Sequence, residues 1–204
     1  MQTQTKDTQL ALTPQSVLEM MKEGNKRFLS KKIADRDHHQ QVKDTSTGQY
    51  PMAVVLSCID SRVPVEIVFD KGIGDIFSAR VAGNVVNVDM LGSMEYACKV
   101  AGSKVVMVLG HSKCGAVTAA CKHTELGNIT ALLSKIKPAV NELVKPDVEL
   151  TASLIEDVIA LNVKKAIEQI RNDSPILKEM EENGEIILVG SIYNVATGEV
   201  EYLS

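Results

Sequence analysis

The chain has 204 residues, of which 45% are hydrophobic, so it is long enough for one domain with a substantial core. Its net charge of −4, its pI of about 5.6 and its 3% of aromatic residues exclude a basic or stacking surface for nucleic acid. Four cysteines are too few for a disulfide framework in a chain of this length, which favours metal binding or catalysis.

Neither a membrane span nor a signal peptide is predicted. No apolar stretch approaches the ~18 residues of a spanning helix, and the N-terminus lacks an apolar signal core. We therefore expect no membrane partner and a cytoplasmic location, or alternatively a periplasmic one if a signal peptide was removed.

The chain begins with a polar segment, residues 1–12, for which we expect mobility. Thr13 and Pro14 then have the character of a helix cap and a first-turn proline, and apolar positions continue from Val17 to Phe28. This N-terminal helix packs either on its own domain or on a second subunit, and the sequence favours neither.

Beyond residue 50, apolar runs typical of buried strands alternate with helical patterns. The predicted strands cover residues 52–56, 76–82, 105–109 and 186–193, with a short antiparallel edge strand at 200–203. The predicted helices cover residues 63–69, 89–101, 113–122, 128–136, 150–170 and 174–184. This alternation predicts an α/β fold with a central parallel sheet, an antiparallel edge strand and flanking helices. We expect one domain over residues 1–204, with residues 1–33 as an N-terminal helical arm.

Two of the turns that follow predicted strands carry reactive side chains. The first contains Cys58, Asp60 and Arg62, and the second contains His111 and Cys114. Ligands of parallel α/β sheets bind beyond the carboxyl ends of the strands, where the strand order reverses. If the two strands are neighbours, the two turns therefore converge in one crevice.

The other cysteines and histidines have no comparable setting. Cys98 and Cys121 lie inside helical patterns without ligand partners, and we interpret them as inert core residues. His38 and His39 are adjacent in a polar segment, so we expect them to be solvated instead of binding a metal.

Two thiolates and one imidazole suit zinc, and three protein ligands leave a fourth position for water or substrate. Zinc lowers the pKa of bound water to about 7, which supplies hydroxide near neutral pH. Arg62 can hold Asp60 through a bidentate ion pair, so that Asp60 accepts the hydrogen of the zinc-bound hydroxide. Asp60 can instead occupy the fourth position and close the site. Taken alone, a buried cysteine usually acts as a small hydrophobic residue, and an Asp–Arg pair is usually a structural salt bridge. The joint arrangement of all five side chains favours a zinc site.

The two motifs, Cys58-x-Asp60-Ser61-Arg62 and His111-x-x-Cys114, resemble the paired signature of the β-class carbonic anhydrases. The resemblance covers most of the chain and includes residues 24–28, 49–51, 80–84 and 189–193. It implies a lyase, a carbonate dehydratase, that interconverts carbon dioxide and bicarbonate with one Zn²⁺ per chain. It also implies a homodimer or larger oligomer in which the N-terminal helix embraces the partner.

The resemblance also assigns roles to individual residues. It implies zinc ligands at Cys58, His111 and Cys114 and a catalytic dyad at Asp60 and Arg62. On the substrate side it implies a hydrogen-bond donor at Gln49, and an apolar pocket lined by Phe77 and Tyr96, partly across a dimer interface.

Two alternatives remain open. Hydrolysis of carbon disulfide or carbonyl sulfide would use the same ligands. A non-catalytic zinc or thiol-redox protein would either close the metal site with a fourth protein ligand or join Cys58 and Cys114 in a reversible disulfide. The Asp60–Arg62 pair argues against this last reading, because a structural site does not need it.

Overall fold

A computed structural model describes residues 3–203, which form one five-stranded sheet with helices on both faces. The strands are β1 (Ala53–Ser57), β2 (Ile76–Arg80), β3 (Val105–His111), β4 (Ile187–Tyr193) and β5 (Val200–Tyr202). Their order is β2-β1-β3-β4-β5, with parallel pairing except between β4 and β5. The predicted α/β architecture and its antiparallel edge strand are confirmed.

The predicted helices occur in the predicted order with different boundaries, and three further helices, Lys6–Leu10, His38–Asp44 and Lys137–Leu143, were not predicted. The helices are α1 (Lys6–Leu10), α2 (Pro14–Leu29), α3 (His38–Asp44), α4 (Val65–Val68), α5 (Val88–Glu95), α6 (Gly115–Cys121), α7 (Gly127–Leu133), α8 (Lys137–Leu143), α9 (Ala152–Asp173) and α10 (Pro175–Glu182). A 3₁₀ turn covers Ala82–Asn84, and a π-helical turn covers Tyr96–Val100.

The strand order places a topological switch point between β1 and β3. From β1 the chain continues to β2, on the flank of β1 away from β3, whereas from β3 it continues to β4, on the flank of β3 away from β1. The loops after β1 and β3 therefore diverge and leave a crevice at the carboxyl ends of these two strands. Both reactive turns of the sequence begin at this crevice.

Two apolar layers cover the sheet, and a third cluster covers the crevice. On one face, Val17 and Met21 of α2 pack against Val55 and Met107 of the central strands. On the other face, α9 contributes Val163, Ala166, Ile167 and Ile170 to a core shared with α5 and α10. The third cluster joins α6, α7, α8 and the start of α9 around Cys58 and Cys114. The broad apolar face predicted for the long helix is thus core.

The N-terminal segment differs from the prediction of mobility. Residues 6–10 form α1, and Thr5 caps it by accepting a hydrogen bond from the backbone of Thr8. Gln9 is buried, and its Nε2 donates to the carbonyl oxygens of Pro51 and Ala101 at 2.8 Å. These two hydrogen bonds to distant loops hold the segment in place. In the sequence, the only residue that indicates this contact is Gln9. Residues 1 and 2 lie outside the described residues.

The helix after Thr13 packs on its own domain in this structure. Thr13 is the cap of α2, as predicted, and Val17 and Met21 are fully buried. Asn25 fixes the far end, because its side chain bonds the carbonyls of Val68 and Gly198 and the N–H of Val200. Of the two placements that the sequence allowed, the structure therefore shows the one within the domain.

Three predicted helices have different ends. The helix predicted at 63–69 is the short α4, because Pro64 precedes it as the cap and is not inside it. The helix predicted at 89–101 ends at Glu95 and continues as the π-helical turn. The helix predicted at 128–136 ends at Leu133, and α8 follows with Pro138 in its first turn, where proline needs no N–H partner. None of the helices within residues 3–203 is both long and apolar enough to cross a membrane.

Candidate metal centre

The carboxyl ends of β1 and β3 bring the three predicted ligand side chains together. Cys58 directly follows β1, His111 is the last residue of β3, and Cys114 precedes α6. Their ligand atoms all lie within 4.8 Å of one another, and all three residues are buried. Within residues 3–203 this is the one group of cysteine, histidine or acidic side chains with the spacing of a metal site. The predicted convergence of the two turns is confirmed.

The two thiols are electrostatically distinct. All four cysteines are free in this structure. The hydrogen bond between the two thiols lowers the pKa of Cys58 and raises the pKa of Cys114. The pair therefore favours one thiolate, on Cys58. The N–H of Gly83 also donates to the Cys58 sulfur at 3.3 Å. Gly83 has a φ of 68°, a left-handed conformation for which glycine is favoured.

His111 presents one ring nitrogen without a partner. Its Nδ1 lies 3.0 Å from the carbonyl oxygen of Ser112, and since a carbonyl only accepts, Nδ1 carries the proton. The other nitrogen, Nε2, is buried and has no hydrogen-bond partner. A buried unpaired nitrogen is costly unless something binds it. The lone pair of Nε2 and two soft sulfur ligands therefore fit a zinc ion.

Arg62 holds the Asp60 carboxylate next to this group, as predicted. The Nε and Nη2 atoms of Arg62 donate to Oδ1 and Oδ2 of Asp60 at 2.9 and 2.8 Å, and the Arg62 N–H donates to Oδ1 at 3.0 Å. The side-chain bonds from Arg62 hold the pKa of Asp60 well below its usual range. Asp60 Oδ2 lies 3.8 Å from Nε2 of His111, which places an ionised oxygen beside the three ligands.

Arg80 is a site residue to which the sequence analysis gave no role. It ends β2, and its Nε and Nη2 donate to the carbonyl oxygens of Cys58 at 3.0 Å and Asp60 at 2.6 Å. One guanidinium thus fixes the backbone of the loop that carries both a predicted ligand, Cys58, and the Asp60 carboxylate. The feature of the sequence that could have indicated this role is the position of Arg80 at the end of β2, the strand next to β1.

The three residues expected on the substrate side lie outside the group of three potential ligands. Gln49 is exposed and precedes β1, whereas Cys58 follows this strand, and five residues of extended chain span about 15 Å. Phe77 and Tyr96 contact each other edge to face, with ring centroids 6.2 Å apart. They line a cavity of about 790 Å³ that also reaches Arg80. The protomer therefore assembles the ligands and the Asp60–Arg62 pair but does not bring Gln49 to them.

Cys98, Cys121, His38 and His39 are placed as predicted. Cys98 and Cys121 are buried in apolar clusters, and burial raises the pKa of the Cys98 thiol to about 12, which keeps it protonated and unreactive. His38 and His39 are exposed on α3.

Comparisons with known proteins agree on one family. The family described as carbonic anhydrase matches residues 53–200. A carbonic anhydrase of Mycolicibacterium smegmatis is 33% identical over 196 residues and 94% of each chain. Carbonic anhydrase 2 of Mycobacterium tuberculosis is 34% identical over 194 residues, 91% of this chain and 90% of its own. Among solved structures, the β-carbonic anhydrase CcaA has a TM-score of 0.75 at 25% identity and covers 93% of this chain and 94% of its own. CafA, the β-carbonic anhydrase of Aspergillus fumigatus, has the same score and identity and covers 93% of this chain and 90% of its own.

Proposed function

The chain belongs to the β class of the carbonic anhydrase family, and we propose that its hydration of carbon dioxide takes place at a zinc ion held by Cys58, His111 and Cys114. The observation that supports this site is the approach of three buried ligand atoms to within 4.8 Å of one another. The unpartnered Nε2 of His111 supports it independently. A zinc ion with three protein ligands supplies a Lewis acid that makes water nucleophilic near neutral pH.

Asp60 is the proposed hydrogen-bond acceptor and orienting group. Its Oδ1 already accepts two hydrogen bonds from Arg62, whereas its Oδ2 accepts only one. A carboxylate oxygen has two lone pairs, so Oδ2, the oxygen 3.8 Å from His111, keeps one available. This lone pair can accept a hydrogen from the attacking water oxygen and turn the oxygen's own lone pair toward carbon dioxide. The ionised state that this role requires is maintained by Arg62.

The two arginines have separate tasks in this proposal. Arg62 binds the carboxylate of Asp60, so it sets its charge and rotation. Arg80 binds backbone carbonyls, so it sets the position of the loop. The Arg62 side chain is half exposed, which leaves the pair open to solvent for release of the proton and of bicarbonate.

Metal analysis combined with stopped-flow hydration of carbon dioxide tests the proposal. We expect about one zinc per chain in the wild type and loss of both zinc and activity in Cys58→Ser. Cys98→Ser is the matched control, because Cys98 is equally buried but has no ligand neighbours, and it should keep both. Asp60→Asn should retain zinc and lose at least ~100-fold in kcat, the scale of a positioned acid–base group. A zinc-loaded wild type that is inactive at neutral and at alkaline pH would reject the mechanism.

We further propose a homodimer in which the partner supplies Gln49 to the substrate side. The supporting observation is an exposed apolar surface on α5 and the π-helical turn, where Val88, Tyr96 and Val100 are 78%, 50% and 70% exposed. This surface borders the cavity that reaches Arg80. Two β-carbonic anhydrases of Sordaria macrospora with the same fold are described as tetrameric.

Subunit complementation tests this arrangement. Gln49→Leu and Cys58→Ser should each have low activity as pure proteins. After mixing and reassembly, a mixed dimer has one intact site if Gln49 acts across the interface, so about a quarter of the wild-type activity should return. A light-scattering mass of one chain, or no recovery in mixed dimers that have been isolated and verified, would contradict the proposal. The predicted cytoplasmic location stays a prediction.

A further inference from the structure

The turn between His111 and Cys114 has a strained residue at its centre. Lys113 is exposed and has a φ of 56°, in the left-handed region that residues other than glycine rarely adopt. Because the two proposed ligands lie on either side of it, the conformation of Lys113 determines whether they face the same point. Such strain persists only where surrounding contacts hold the backbone in place.

Two elements supply these contacts. At Ser112, the end of β4 holds the turn, since the Ser112 N–H donates to the carbonyl of Tyr193 at 2.9 Å and its Oγ accepts from the N–H of Val195 at 3.0 Å. At Lys113, the contact comes from α9, where Glu156 Oε1 accepts the backbone N–H at 2.9 Å. The strained residue itself is therefore fixed by one carboxylate.

The helix that carries Glu156 is suited to act as a rigid support. It has 22 residues, and Val158 and Ile159 in the same turn as Glu156 are buried in the cluster that contains Cys58 and Cys114. Glu156 is itself only half-buried, and its neighbour Asp157 is exposed. A carboxylate on this scaffold binds an N–H more strongly than a neutral acceptor would.

We propose that Glu156 is a positioning residue of the metal centre, which holds Lys113 in its left-handed conformation so that His111 and Cys114 converge on the ion. This inference rests on the proposed zinc site. Glu156 touches neither the ion nor the substrate in this role, and it acts through one backbone amide. Contacts of this kind typically change metal affinity by 10- to 100-fold.

The rate of zinc transfer to a chromophoric chelator tests the inference without any activity measurement. In the full-length, zinc-loaded protein, we expect Glu156→Leu and the smaller Glu156→Ala to lose zinc at least ~10-fold faster than the wild type. Glu156→Gln keeps a carbonyl acceptor at the same reach and should recover most of the difference. Asp157→Leu, the same change at the adjacent exposed position, is the matched control and should release zinc at the wild-type rate.

Two further measurements separate a positioning role from general destabilisation. The visible spectrum of the Co²⁺-substituted protein should change in Glu156→Ala and remain that of the wild type in Glu156→Gln. The amide proton resonance of Lys113 should move upfield in Glu156→Ala, because its charged acceptor is lost. Urea denaturation midpoints identify any variant that is unfolded. If Glu156→Ala is unfolded, zinc release and the cobalt spectrum are compared between Glu156→Gln and the wild type instead.

The outcomes distinguish this inference from the proposed function. A zinc-loaded wild type with unchanged zinc release and an unchanged cobalt spectrum in folded Glu156→Ala would overturn the role of Glu156 and leave the zinc site intact. Equal acceleration in Asp157→Leu would overturn it as well. A wild type that binds no zinc would overturn the proposed function, and the role of Glu156 with it.

Discussion

Gly110, immediately before the proposed ligand His111, lies where a side chain of α9 approaches β3 closely. A Cβ at this position would lie 2.6 Å from Cγ2 of Val163 and 2.9 Å from Cδ1 of Ile192. Because carbon atoms in contact are about 3.5–4.0 Å apart, Gly110→Ala must open a gap of about 1 Å between β3 and α9. Overpacking of this kind costs about 1–3 kcal/mol. For a chain of this size, each kcal/mol lowers the melting temperature by about 2–4 °C.

Urea denaturation of the zinc-loaded protein at one fixed protein concentration measures this cost. Gly115→Ala is the control, because its added Cβ meets nothing within 4 Å and the position is exposed. Val163→Ala removes the opposing methyl group, so we expect Gly110→Ala combined with Val163→Ala to be less destabilised than the sum of the single effects, by about 0.5–3 kcal/mol. If Gly110→Ala differs from the wild type by less than about 0.5 kcal/mol, or if the two effects add, the close approach does not limit packing.

Two further predictions concern arginine contacts. Arg80→Met removes the hydrogen bonds to the carbonyls of Cys58 and Asp60, so kcat/KM in stopped-flow hydration should fall at least ~10-fold. Asp70→Asn leaves the buried Arg36 beside a neutral amide and should cost about 3–5 kcal/mol in urea denaturation at neutral pH. Burial opposes ionisation of Asp70, but hydrogen bonds from its two arginine partners lower its pKa overall. The stabilisation is therefore complete above the usual Asp pKa of about 4 and is lost as the pH falls through the lower folded value.

Each of these predictions has a clear contrary result. Unchanged kcat/KM in a zinc-loaded Arg80→Met would mean that the loop keeps its position without the guanidinium. For Asp70→Asn, the difference in stability from the wild type should shrink as the solution is acidified below about pH 4. A difference that stays constant with pH would show that ionisation of Asp70 does not produce the stabilisation.

The sequence alone determined the architecture and predicted the three metal ligands. The apolar runs of β1, β3 and β4 are continuous because both faces of these strands are covered, and this pattern is visible without any structure. Few side chains offer the sulfur and nitrogen donors of Cys58, His111 and Cys114, so the order of these residues along the chain already indicated a zinc site. The bidentate pairing of Asp60 with Arg62 also followed from two residues on one loop.

Only the tertiary structure decided which distant residues support these groups. Arg80 and Glu156 act through backbone atoms of another element, and a contact with a carbonyl or an N–H places no requirement on the residue type at the other end. Gly83 contacts the Cys58 sulfur through its own backbone N–H, so this contact does not depend on a side chain at position 83. Helix α1 was not predicted for the same reason, because it is held by the side chain of Gln9, which bonds two backbone carbonyls and so depends on no particular partner residue. Gln49 shows the converse case: its predicted role came from resemblance, and the fold of a single protomer places it at the other end of β1, because a strand separates its two ends by its full length.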